Sequence, residues 1–572
     1  MDPSDPEYEA LKEVLIELLS GQPSWGEKLP KSWIYLKMMI NRRVESGQKL
    51  MSMDTLISIN NESPVQVLTK DELKVFLKMH HAQGEIIYFP LPGLRDHIII
   101  SPKFLVNALR SLVTDKRFCE GQRLKALQSM NRNGILRLSD INAIWKGDKK
   151  FLEHKQFLLS LMGHLDIIAT PRQYGDSGAL IPSDVFYVPS LVQTIADTQF
   201  LKEKIVPNAI GLSFKFDSMI PSAIGYRLIA SCVNIYPVQT YNDTLMLFSG
   251  MVILCVKPAM DLCVVLRSDR VDVFLYHEAS RSKIESDTAV AIFACLSDTL
   301  VSILESYKVT SSEGKVKYDV PFHAEFACFD IESPCYDEKK TDWTCKHDYM
   351  INKDMKSKWF VKKPIESWTR EKREENKDRV LAGDDLDEKP TDLQLANLSQ
   401  TFTREDMYSL LLQLGLKKSK IEEVEVDQVG NLRNIKFTCL LKWKQQTNGT
   451  VRDLVKAMED LKFDVNKVYE MSLNRPMTLP ENILAENPSD RIMDTVASDV
   501  IHESLLLSVQ LGYDASFWLG MKEDRYKIVD INREVFCKWR NKIFGKDQMR
   551  VLAQALWNVD INITTFLQIP RM

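Results

Sequence analysis

The chain has 572 residues, 45% of them hydrophobic and 27% charged, with a formal net charge of -4. That length exceeds what a single core serves and predicts about three to five domains, while the near-neutral charge gives no global drive toward nucleic acid or anionic membranes. Ten scattered cysteines without a paired framework, and an acidic N-terminus in place of a basic-then-apolar leader, predict a reducing cytoplasmic setting without a signal peptide.

In chain order, residues 8–19 set Leu11, Val14, Leu15 and Leu18 at helical spacing, a helix that should pack on something. Pro30 suits a first helical position, with Trp33, Leu36 and Ile40 behind it. Thr69-Lys70-Asp71-Glu72 is a capping box with Leu68 and Leu73 placed as its hydrophobic staple. Leu73, Phe76, Leu77 and His80 or His81 form the buried face of that helix, and Gly84 can end it. Residues 85–89 read as a strand, Pro90-Leu91-Pro92-Gly93 as a turn, 97–100 as a second strand, and Ser101-Pro102 as a new helix start.

Helix, strand, turn, strand, helix is the order of a winged-helix unit. A related order recurs over 138–192, where Ser139 starts a helix, Phe157, Leu158, Leu161 and Met162 line another, and 166–169 and 179–181 are expected to pair. Residues 30–192 are therefore expected to form two winged-helix-like units. The helix before the first wing mixes Lys70, Lys74 and Lys78 with Asp71 and Glu72 and lacks an Arg-rich or aromatic face, which argues against nucleic-acid binding.

From about 205 to 326 the period changes. Residues 211–216, 244–254, 261–267 and 270–276 read as antiparallel strands, 226–233 as a short helix, and 287–307 as a long one with a broad apolar face including Val290, Phe293, Leu296 and Leu300. The most apolar run, 245–256, is too short to span a bilayer and reads as two buried strands around Ser249 and Gly250. No membrane association is expected.

Leu29-Pro30-Lys31-Ser32-Trp33, Gly84 through Phe89, Ile100 through Leu105, Phe186 through Leu191, and Phe216 through Ile220-Pro221 to Arg227-Leu228-Ile229 together resemble the COR region of ROCO proteins. That family includes leucine-rich-repeat kinases and is related to the Roc-COR segment of death-associated protein kinases. The resemblance implies a COR-A part over 30–192, an antiparallel-sheet COR-B part over 193–326, and dimerisation. It also implies a Roc GTPase, yet no G-x-x-x-x-G-K-[ST] loop and no kinase catalytic set occurs. Only about 30 residues precede the region, too few for a GTPase domain. Residues 1–29 then correspond to a Roc-COR linker remnant, and the chain to a truncated gene product, a splice form or a lineage without its GTPase, with a Roc-type domain acting in trans as one further partner. Catalytic and cofactor-binding residues are not expected.

Residues 327–389 hold Cys328, Cys335, Cys345 and His347 before a charged linker. Either these four converge on a structural zinc or the cysteines stay reduced and unligated; the tight C-x2-C knuckle is missing.

In the last third one helical pattern appears twice. Leu414-Gly415-Leu416, Leu440-Leu441-Lys442-Trp443 and residues 454–461 are echoed by Leu511-Gly512-Tyr513, Phe536-Cys537-Lys538-Trp539 and residues 552–559. Each Trp falls on an apolar stripe and reads as a core anchor. Thr450 and Asp547 are placed to cap the two last helices. Compact units with an early Leu-Gly stop, a late Leu-Leu-x-Trp helix and a final Leu-rich helix resemble death domains, over 390–472 and, after a 473–487 linker, 488–572. The resemblance implies six-helix bundles and homotypic binding to death-domain proteins through charged patches. Lys417, Lys418, Lys420, Glu422, Glu423 and Glu425 mark the expected patch in the first copy, and Lys522, Glu523, Asp524 and Arg525 in the second.

The expected fold is thus multidomain α+β, followed by two all-α bundles. The expected function is a non-enzymatic cytoplasmic scaffold that dimerises through its COR-like region and recruits death-domain partners in apoptotic or innate-immune signalling. A fragment of a larger ROCO GTPase or kinase is the alternative, and winged-helix nucleic-acid binding the third reading.

Overall fold

The computed structural model describes residues 6–21, 30–112, 121–181, 183–196, 209–217, 219–306, 322–325, 386–427, 432–465, 486–524, 526–543 and 547–561, with a few isolated positions between them. The first helix, α1 (Pro6–Ser20), forms where its periodicity places it, but the face expected to pack is not buried: Leu11, Val14 and Leu15 are about half exposed.

The N-terminal body begins with α2 (Lys31–Glu45), β1 (Leu50–Ser52), α3 (Met53–Asn61) and α4 (Lys70–Ala82). The capping box is present: Thr69 Oγ1 accepts from the Glu72 N–H at 3.3 Å, and the Thr69 N–H donates to the Glu72 carboxylate at 2.8 Å. Leu68, Leu73, Phe76 and Leu77 are buried together with Leu36 and Ile40. Of the two histidines His80 is the buried one.

The expected strand at 85–89 shrinks to a single bridge between Ile87 and Ile99. The ladder partner of β2 (His97–Ile99) is β1, which the alternation of so short a segment did not reveal. Further on come α5 (Lys103–Leu112), α6 (Gly121–Asn133), β3 (Ile135–Arg137), α7 (Leu138–Trp145), α8 (Lys149–Glu153) and α9 (Lys155–His164). The expected pairing of 166–169 with 179–181 does not occur. Asp166 instead ends α9 in the left-handed region (φ 55°), Ala169 bridges Tyr187, and β5 (Leu180–Ile181) pairs with β4 (Gln173–Tyr174) in a small hairpin. β6 (Val185–Tyr187) pairs with β3.

The middle body is an antiparallel sheet of six strands: β7 (Ala209–Phe216), β8 (Leu247–Phe248), β9 (Met251–Lys257), β10 (Met260–Leu266), β11 (Arg270–His277) and β12 (Phe322–Glu325), in the order β8-β9-β10-β11-β7-β12. Gly250 (φ 73°) makes the turn between β8 and β9, as the 245–256 run suggested. Among the described residues two helices pack against the sheet core, α10 (Ser222–Ile235) and α11 (Ser286–Glu305). α11 is apolar and long enough by composition to cross a bilayer, but most of it is buried against the sheet and the helices that follow.

Two helical units complete the chain. Unit one contains α12 (Asp392–Gln400), α13 (Arg404–Gln413), α14 (Lys418–Asp427), α15 (Leu432–Thr447) and α16 (Val451–Asp460). Unit two contains α17 (Asp490–Asp499), α18 (Ser504–Gln510), α19 (Ala515–Glu523), α20 (Ile528–Lys542) and α21 (Gln548–Asn558). The repeat in the sequence is therefore a repeat in structure, helix for helix. Each second helix stops on a left-handed glycine, Gly415 (φ 86°) and Gly512 (φ 87°). Trp443 and Trp539 are fully buried at matching places in α15 and α20. Thr450 caps α16 as expected, whereas Asp547 sits left-handed (φ 56°) before α21 and makes no side-chain cap. One apolar cluster runs through both units and takes in Ala294 and Cys295 from α11.

Candidate interaction surfaces

The patch expected in unit one lies on α14 and its approach, and it is open. Lys417 and Lys418 are exposed, and the Lys417 carbonyl accepts from the Lys420 and Ile421 N–H groups, which makes Lys417 the cap of the helix. Along the helix the charges pair with one another: Lys418 with Glu422 at 3.7 Å, Lys420 with Glu423 at 2.7 Å, and Glu423 also with Lys442 at 3.4 Å. Hydrogen bonding from Lys420 and the nearby Lys442 charge hold the Glu423 carboxyl below its usual range. Arg404 reaches Glu425 at 2.7 Å. Solvent-exposed pairs of this kind are screened by water and contribute little. A partner can therefore exchange them at small cost.

The patch expected in unit two is turned inward. Lys522 donates to Asp298 of α11 at 2.6 Å, and Asp524 pairs with Lys78 of α4. Asp298 also accepts the Ile528 N–H at 2.8 Å, so its carboxylate, set in an apolar helix, draws the start of α20 onto the middle body. Glu523 remains exposed, and Arg525 lies outside the described residues. These residues turn inward, against expectation, because the largely buried Asp298 carboxylate needs a cation and unit two supplies it.

The zinc candidates Cys328, Cys335, Cys345 and His347 lie outside the described residues. Among the described residues no group of three or more His, Cys, Asp or Glu side chains could hold a metal.

Two sets of polar contacts fix the units in place. Between them, Asp392 at the start of α12 accepts from Lys444 at 2.9 Å with one oxygen and from the Ala515 N–H at 2.9 Å with the other. Gln510 donates to Asn397 at 2.7 Å, Asn434 to the His502 carbonyl at 2.8 Å, and Arg433 to the Val559 carbonyl at 2.9 Å. Against the rest of the protein, Asp494 gathers Arg172 at 2.6 Å, the Tyr174 hydroxyl at 2.8 Å and Arg533 at 3.0 Å. A signal for the first contact was present. Both copies open their first helix with hydroxyl-then-Asp, Thr391-Asp392 and Ser489-Asp490, and both follow the core Trp with a cation, Lys444 and Arg540.

Comparison with known proteins matches two parts of this layout. Residues 30–191 match the family described as the C-terminal of Roc, COR-A domain, and residues 392–471 match the death domain. The "Probable serine/threonine-protein kinase pats1" of Dictyostelium discoideum is 25% identical over 166 residues, 28% of this chain and 5% of that protein. The "Cyclic GMP-binding protein C" of the same organism is 26% identical over 188 residues, 31% of this chain and 6% of that protein. The chain thus matches only about a twentieth of the length of either relative. Among solved structures, the Methanosarcina barkeri Roco2 RocCORdC bound to GDP aligns at 16% identity with a TM-score of 0.25, covering 33% of this chain and 52% of that one.

The chain is a mixed α+β protein with a COR-A region, an antiparallel sheet and a death-domain helical region. A COR-A domain and a death domain, the latter a homotypic interaction module, thus stand in one chain. Both matched domains are non-catalytic, and the kinase-named relative matches over the COR region alone.

Proposed function

We propose that the chain is a non-enzymatic signalling scaffold. Its COR region self-associates, and unit one recruits death-domain proteins through the charged face of α14. The observation that carries this reading is the asymmetry between the two units: the Lys417 to Glu425 face is open, while its counterpart at Lys522 and Asp524 is engaged by Asp298 and Lys78. Unit two repeats unit one helix for helix and is read as a second death domain, one given over to contacts within the chain. The units formed by α4 with β1 and β2, and by α9 with β3 and β6, are read as winged-helix-like modules in a structural role. Free cysteines at 232, 255, 263, 295, 439 and 537 suit a reducing cytoplasm.

Light scattering on the full chain, with pull-down against a panel of purified death domains, tests the proposal. Capture of a panel member that is lost on reversing Lys417, Lys418 and Lys420 to Glu supports it. A strictly monomeric chain that captures none overturns it.

A second reading rests on one observation, the small share of each relative's length that this chain matches. On that reading the chain is the COR and death-domain portion of a larger ROCO GTPase or kinase, and coding sequence for a phosphate loop upstream of Met1 decides it.

A further inference from the structure

The contact between the two helical units has a direction. Unit one contributes the face of its first and fourth helices, where Asp392 is held by Lys444. Unit two contributes the corner where its second helix ends and its third begins, where Gln510 donates to Asn397 and the Ala515 N–H donates to Asp392. Because the two contributions differ, the contact is heterologous, and one copy of each surface is left over.

The leftover corner belongs to unit one and is exposed. Gln413 occupies the place of Gln510, donating to Asp460 at 3.0 Å where Gln510 accepts from Asn558 at 2.9 Å. Gly415 matches Gly512, and Lys418, the first residue of α14, matches Ala515. Gln413, Lys417 and Lys418 are all exposed.

The leftover face belongs to unit two and is covered. Asp490 stands where Asp392 stands, and Arg540 holds one of its oxygens at 2.7 Å as Lys444 holds that of Asp392. Its other oxygen, which in Asp392 takes the Ala515 N–H, here takes the Leu180 N–H at 2.9 Å. That donor comes from the β4-β5 hairpin of the COR-A region. The hairpin is further seated by the Arg491 N–H on the Gly178 carbonyl at 2.9 Å and by Arg172 and Tyr174 on Asp494. It mimics with one backbone N–H what the helix corner does between the units. Its strands are two residues each, and Leu180 and Ile181 are more than 40% exposed, so little apolar burial holds it down.

We propose that the 173–181 hairpin caps an assembly face on unit two, and that the occupant of this face once the hairpin lifts is the Gln413–Lys417–Lys418 corner of a second copy of this chain. The inference rests on reading unit two as a bundle of the same kind as unit one. The pairing repeats the contact already made between the two units: Asp490 offers the oxygen that Asp392 gives to the Ala515 N–H, and Lys418 stands where Ala515 stands. A face and a corner on every chain, joined head to tail, extend into an open assembly rather than a closed dimer. The COR-A region would then control assembly of the helical units by covering one end of each chain.

The test uses the full chain and multi-angle light scattering over a concentration series. Gly178→Val adds a branched side chain at a left-handed position (φ 73°) where a Cβ would lie 2.8 Å from Ser489 Oγ, and Arg172→Glu sets like charges against Asp494; together they lift the hairpin. Hydrogen exchange at residues 173–181 reports the release, and Leu180→Pro, which deletes the N–H that Asp490 accepts, is the replacement if protection persists. The released chain is expected to show at least a doubling of weight-average mass with rising concentration. Adding Lys418→Pro, which removes the docking N–H at a first helical position where proline is tolerated, returns the mass to that of the parent, as does adding Asp490→Ala. A released hairpin with unchanged mass, or a mass increase indifferent to both Lys418→Pro and Asp490→Ala, overturns the proposal. COR-mediated dimerisation is read from the mass of the parent chain before any variant is made, so the two readings fail separately.

Discussion

Lys527, at the start of α20, reaches out of unit two to the carboxylate of Asp166 in the COR-A region, and both donate to or accept from Ser231 of α10. Arg227 completes the cluster at 3.3 Å, around an Asp166 side chain that is 1% exposed. Three bodies of the protein are joined at this one buried acid.

Removing it strands two partly buried cations. Asp166→Ala is expected to destabilise the protein by about 3–5 kcal/mol, the usual effect of breaking a buried pair from one side. Denaturant unfolding measures the loss. Limited proteolysis should show unit two detaching from the COR region before either unfolds. Lys527→Met, which keeps most of the side-chain volume and leaves Arg227 with Asp166, is expected to cost less.

Titration of His164 gives a second expectation. Burial, followed by the nearby Lys527 charge, pushes its imidazole from the ordinary 6.5 down to about 4. A base whose folded value is depressed is neutral in the native state, so its contribution is complete above pH 6.5 and is lost as pH falls toward 4. The full span amounts to roughly 3 kcal/mol. His164→Gln is expected to flatten the stability profile between pH 6.5 and 4 and to leave it nearly unchanged above pH 7, as read by urea midpoints across that range.

Gly449 offers a test of packing. A Cβ there would lie 2.2 Å from the Trp443 ring, which is itself 1% exposed. Gly449→Ala is expected to cost about 1–3 kcal/mol through overpacking, and Trp443→Ala about 3–5 kcal/mol through the cavity it leaves. Combining them should cost less than the sum, because the alanine methyl then occupies space the indole has vacated. Thermal unfolding of the four proteins closes this cycle.

The seam between the helical units rests on Asp392. Asp392→Ala removes the acceptor of both Lys444 and the Ala515 N–H, and is expected to cost about 1–3 kcal/mol. Hydrogen exchange should locate the loosening at the start of α19. Lys444→Met, which leaves the Ala515 N–H with its acceptor, should leave exchange at α19 close to that of the parent.

Much of the fold was legible along the chain because local signals there agree with tertiary ones. Thr69 and Thr450 cap helices whose apolar faces are already periodic, Gly415 and Gly512 stop helices where a left-handed residue is required, and the strands of the middle sheet alternate or run apolar as buried strands do. The misreadings fall where an element is too short to carry a period. β1 and β2 have three residues each, and the 166–169 segment contains Asp166, whose left-handed turn is tolerated in place of a glycine because its carboxylate serves three donors from two distant helices.

The sequence by itself determined the repeated helical units, since hydrophobic period, caps and stops are local and survive in one dimension, and its resemblance to COR regions pointed to the COR-A part that the family match finds. Only the tertiary structure decided which charges are surface and which are joints. Lys417 and Lys522 both sit in charged segments of their units, yet one faces solvent and the other meets Asp298. A charge's environment depends on what lies opposite it in space, and for Lys522 that is a carboxylate 224 residues earlier in the chain.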